Sequence, residues 1–114
     1  LFEIEGIQSS LESIQNNVLT PMCSGCHSGP TSGVLPAGMD VSDVAASFNA
    51  LVNVASLQVP ALRRVNPGDP VNSYLIQKLE GTHTVGGQMP SSGPPLPQNT
   101  IDAIRDWIQQ GATL

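Results

Sequence analysis

Aromatic side chains and basic charge are what this sequence most lacks. One Trp, one Tyr and two Phe are spread over 114 residues, so the apolar core has to be built mainly from aliphatic side chains. Four residues are basic (Arg63, Arg64, Lys78 and Arg105) against nine acidic ones, giving a net charge of −5. No basic stripe exists, which argues against nucleic acid as a partner. No apolar run approaches the ~20 residues needed to span a bilayer. A charged-then-apolar leader is missing as well, and the first residue is Leu1. The expectation is one domain over 1–114, either a processed chain or a piece of a longer one.

Glycine and proline are plentiful, at eleven and ten residues, which implies long irregular connections. A chain of this size buries roughly 65% of the surface its unfolded form exposes. A modest core, few aromatics and much loop describe a protein that would gain from an internal prosthetic group.

Four helices can be predicted, and no segment alternates as a strand would. The first spans about 5–18, with Ile7, Leu11, Ile14 and Val18 on one stripe, and Thr20-Pro21 is expected to stop it. The second covers about 42–54, capped by Asp40 or Ser42, with Val44, Phe48, Leu51 and Val52 as its apolar face. The third opens at Asp69-Pro70, carries Val71, Tyr74, Leu75 and Leu79, and ends at Gly81. The fourth runs about 98–110, with Ile101, Ile104, Trp107 and Ile108 inward. The expected fold class is all-α with large loops. The loop over about 81–97 is too long to lack a purpose inside a compact domain, and a bound group would supply one.

The only two cysteines lie in Cys23-Ser24-Gly25-Cys26-His27. Two thiols at this spacing can add to the two vinyl groups of a haem, and the next residue then offers its imidazole to the iron. Three other readings compete. A disulfide would close a very small loop and stabilise little. A thiol redox pair expects a strand–helix setting that is absent here. A zinc site would need Cys23, Cys26, His27 or His83 and a further ligand, yet no second Cys or His pair follows.

A haem that shuttles electrons takes a sixth ligand, and a thioether suits a raised potential. Met89, in Gly86-Gly87-Gln88-Met89-Pro90, is the candidate. The two glycines are expected to let the backbone approach a flat ring, and Pro90 to stiffen the chain beyond the ligand. Met22 sits on the attachment side, and Met39 reads as an apolar plug in the core. His83 is the rival ligand, or a group near the ring edge, and an open iron is the remaining alternative. One of the adjacent pair Arg63 and Arg64, taken here as Arg64, is expected to face the haem propionates. Tyr74, Leu75 and Leu79 are expected to line the cavity, although plain core packing explains them equally well. The second ring nitrogen of His27 needs an acceptor, expected in the loop from Pro30 to Pro36.

The stretches NVLTPMCSGCHSG, RRVNPGDPVNSYLIQKLEGTH, MPSSGPPLP and IDAIRDWIQQGA resemble those of class I monohaem c-type cytochromes of the bacterial type. The similarity runs over nearly the whole chain and is most specific at the first stretch and the Met-Pro. It implies a cytochrome c-like fold around one haem c, covalently held by Cys23 and Cys26, with His27 proximal and Met89 distal to the iron. It also implies that the first and last helices cross near Trp107. The activity implied is electron transfer rather than enzymatic turnover, in a periplasmic or exported setting. Partners would be redox proteins met transiently, docking through a basic patch against this acidic chain. The alternative is a small haem enzyme or gas sensor with an open or labile iron, in which His83 is the acid–base group. Oligomeric state, potential, donor and acceptor are not legible.

Overall fold

The computed structural model describes residues 4–27, 39–90 and 94–114. Ser10 opens the first helix, its hydroxyl accepting the Ser13 N–H at 3.2 Å. Helix α1 spans Leu11–Ile14 and passes without a break into a wider-wound segment, Gln15–Cys23. The expected stop at Thr20-Pro21 does not occur. Pro21 has no N–H to give, and the winding widens here so that Ser24 N–H reaches back five residues to Leu19 O at 2.8 Å. The helix begins later than predicted and carries on to the first cysteine.

Helix α2 is Val44–Leu51, capped by Asp43, whose carboxylate accepts the Ala46 N–H at 2.8 Å. Neither Asp40 nor Ser42 holds that position. Asp69 does cap a turn, but a short 3₁₀ one, Pro70–Asn72. Helix α3 follows as Tyr74–Glu80 after an extended Ser73, and it ends at a left-handed Gly81. Because α3 starts after this break, Val71 lies outside it and is 71% exposed rather than inward-facing. The first N–H groups of α3 are not orphaned. Tyr74 N–H donates to Arg63 O and Leu75 N–H to Arg64 O, both at 2.9 Å. Helix α4 spans Gln98–Gln109 and follows Pro97. Among the described residues the chain is all-α, with isolated bridges at Val52–Val65, Ala55–Arg63 and Arg63–Ser73 but no strand.

The core gathers Leu11, Ile14 and Val18 from the first helix, Ile76 and Leu79 from α3, and Ile101, Ile104, Trp107 and Ile108 from α4. Each fully buried aliphatic side chain contributes about 1.5–3 kcal/mol. Helices α1 and α4 pack on one another, and an ion pair between Arg105 and Glu80 fastens α4 to α3 at the rim. One buried polar group ties the first helix to α2. Gln15 donates to Val41 O at 2.9 Å and to Thr20 Oγ1 at 3.0 Å, and its carbonyl accepts the Ser47 hydroxyl at 2.6 Å. No helix among the described residues is long and apolar enough to cross a membrane.

Candidate functional site

The end of the first helical run sets out the Cys-x-x-Cys-His residues. Cys26 N–H and His27 N–H both fold back onto Cys23 O, at 3.2 and 2.9 Å. Cys23 is thereby turned toward the core while Cys26 is exposed. His27 O then accepts Val41 N–H at 2.7 Å, and Val41 O is the carbonyl that Gln15 holds. Thus a buried amide on the first helix steadies the backbone next to the histidine. The two thiols are not bonded to each other. Burial, with the neighbouring Cys26 adding to it, pushes the Cys23 thiol up to about 11. The loop from Pro30 to Pro36, expected to orient His27, lies outside the described residues, as do residues 91–93 of the proline-rich run after Met89.

The loop after α3 is fastened to that helix along its length. Met89 N–H donates to Lys78 O at 3.0 Å, and Gln88 Nε2 donates to Leu79 O at 2.9 Å. The Tyr74 hydroxyl donates to Val85 O at 2.9 Å and accepts Val85 N–H at 3.1 Å. Lys78 Nζ donates to Val85 O and Gly87 O, both at 3.0 Å. Gly86 takes a φ of +79°, and a Cβ there would sit 2.5 Å from Gln58 Nε2 and 2.6 Å from Lys78 Nζ. A Cβ on Gly87 would have nothing within 4 Å. The two glycines thus differ in what the chain itself packs against them. Gly86 is required within the chain, for its backbone angle and for the side-chain heads packed on it.

Between this loop and the Cys-x-x-Cys-His turn lies a cleft of two adjoining chambers, with about 760 and 580 Å³ of space free of protein atoms, open solvent included. His27, Met39, Leu51, Leu75 and Met89 line both. Cys23, Cys26, Met22, Leu79 and Pro90 wall the first chamber, and Arg64, Lys78, Tyr74, Gln58 and Ser56 the second. The walls are largely apolar, with thiols at one end and cationic and hydroxyl groups at the other. Such a cleft suits a large apolar ligand that carries anions at one end and meets thiols at the other. An imidazole and a thioether between those ends could hold a metal within it.

Every sequence-predicted site residue reaches this cleft: Cys23, Cys26, His27, Arg64, Tyr74, Leu75, Leu79 and Met89. Arg64 is 8% exposed and donates to Ala50 O at 2.8 Å, near the end of α2. Burial lowers its pKa from the ordinary value. Its neighbour Arg63 is exposed and bonded to Asn53. Met39 is half-buried against the core, and it also faces the cleft, as a plain plug would not. His83, the expected rival, is not among the cleft-lining residues, and its Nδ1 is buried without a hydrogen-bond partner among the described residues. Among the described residues no three His, Cys, Asp or Glu side chains converge as a metal-holding group, which the zinc reading would need. Sequence reasoning missed Lys78. The signal was present, because Lys78 follows Tyr74 by four residues and so falls on the inward stripe of α3. Comparison with protein-family models, with curated protein sequences and with solved structures finds no match for this chain.

Proposed function

We propose that this chain is a monohaem c-type cytochrome with a cytochrome c-like fold, an electron carrier or relay rather than an enzyme. The observation that carries this reading is the shared cleft. His27 and Met89, from opposite halves of the sequence, line both of its chambers, beside the chain's only two cysteines. The residues present fit the group. Cys23 and Cys26 stand at the wall where thioethers would form, and Arg64 stands at the other end, where propionates would meet a buried cation. A carboxylate beside Arg64 would offset the cost of holding that guanidinium away from water.

When bound, the haem supplies a reversible one-electron couple between ferric and ferrous iron. The chain supplies position. His27 is held on a turn fixed by the Cys23 carbonyl and by Val41, which leaves its ring little freedom to lose on ligation. Met89 is held by a loop tied to α3, so the same two ligands can be presented in both oxidation states. The apolar walls keep water from the centre and favour the less charged state. On this reading the protein is exported, since haem c is attached outside the bacterial cytoplasm, and it meets basic redox partners transiently.

The open-site enzyme or sensor is less well supported, because its acid–base group, His83, does not line the cleft. The test is the spectrum of the haem-loaded ferric protein. A long-wavelength charge-transfer band of thioether-ligated iron is expected, and Met89→Ala should abolish it. Ready binding of carbon monoxide by the reduced protein, or a band that survives Met89→Ala, would sink the proposal.

A further inference from the structure

Lys78 is 9% exposed, and among the described residues no carboxylate pairs with it. A cation is a costly choice for such a position, where an aliphatic residue would fill the same space without a desolvation penalty. What the ammonium does instead is specific. Two of its donors go to Val85 O and Gly87 O at 3.0 Å, and it stands 5.7 Å from the centre of the Tyr74 ring. Its own backbone carbonyl accepts Met89 N–H. Side chain and main chain of one residue thus grip the loop on both sides of Gln88, immediately before the thioether. Tyr74, one helical turn earlier, grips Val85 twice.

We propose that Lys78 is a positioning residue for Met89, a clamp that sets how firmly the thioether holds its place against competing ligands. This rests on the cytochrome reading above. Lys78 acts through the loop it holds.

The experiment uses the full chain with haem attached, in the ferric state, titrated with imidazole while the thioether band is followed. Lys78→Met keeps the apolar stem and removes the donors. Bonds to a charged donor are individually strong, so imidazole is expected to bind at least about tenfold more tightly. Lys78→Arg restores charged donors and should return the affinity to within about threefold of the unsubstituted protein. Glu80→Gln, which breaks the pair with Arg105 on the same helix, should lower stability slightly and leave imidazole affinity alone. If Lys78→Met does not accumulate, Lys78→Gln takes its place, and weakened but measurable clamping is expected. Imidazole affinity in the donor-deficient variant within about twofold of the parent would overturn the proposal, as would an equal gain in Glu80→Gln. A parent protein with no thioether band would instead overturn the cytochrome reading.

Discussion

Replacing Gly86 with alanine should destabilise the protein far more than the same change at Gly87. At Gly86 the φ of +79° costs an L-residue roughly 1–2 kcal/mol. The added methyl also meets Gln58 Nε2 at 2.5 Å and Lys78 Nζ at 2.6 Å. Gln58 is exposed and can swing away cheaply. Lys78 cannot, because moving its head gives up a bond to Val85 O or Gly87 O, worth about 1.5–3 kcal/mol for a charged donor. Together the expected loss is about 2.5–5 kcal/mol, a large share of the 5–15 kcal/mol typical of a domain. At Gly87 neither cost applies, and the change should stay within about 0.5 kcal/mol or stabilise slightly by restricting the unfolded chain. Urea denaturation of both variants, fitted with a common slope, gives the comparison. A Gly87→Ala loss equal to or larger than that of Gly86→Ala would refute the reasoning, since it would locate the tight approach one residue later.

Gln15→Leu keeps the bulk but strands Val41 O and the Ser47 hydroxyl, so a loss of about 2–4 kcal/mol is expected in the same denaturation assay. Because Val41 also holds the His27 backbone, the cytochrome reading predicts faster ligand exchange on the histidine side as well, whereas Asn16→Leu on the exposed face should do neither. In the protein with both thiols free, iodoacetamide should modify exposed Cys26 before Cys23. Cys23 ionises at about 11 in the fold against 9.0 as a free thiol, so the folded state retains a proton that the unfolded state loses. Stability of that thiol form should therefore fall as pH rises from 9 toward 11, by up to about 3 kcal/mol, and Cys23→Ser should flatten the profile. A midpoint insensitive to pH over this window would show that Cys23 is more open to water than its position implies.

Much of the cleft was legible because its chemistry is local in sequence. Cys23, Cys26 and His27 fall within five consecutive positions of one turn, and Met89 is marked out by the length of the loop in which it stands. The helix faces of α3 and α4 followed from periodicity, which needs only residue spacing. What spacing could not show was the response of the backbone to Pro21. A proline forbids one hydrogen bond, but whether the helix stops or widens depends on what the next turn can offer. Here Ser24 finds Leu19 O, and the helix goes on to deliver Cys23. Lys78 was missed for a related reason. A charge on an apolar stripe reads as a solvated residue until its partners are known, and those partners are main-chain carbonyls of a loop with no pattern to read.

The fate of the four cations has a consequence for how copies of this molecule meet one another. Arg64 and Lys78 are buried, Arg105 is spent on Glu80, and Arg63 is bonded to Asn53. Glu5, Glu12, Asp43, Asp102 and Asp106, by contrast, are all exposed. What one molecule presents to another is thus more uniformly negative than a net charge of −5 implies. Two such surfaces repel once they come within about a Debye length, ~8 Å at physiological salt, and dissolved salt weakens that repulsion. Concentrated solutions should therefore become more nearly ideal as salt is added, with the second virial coefficient falling toward zero.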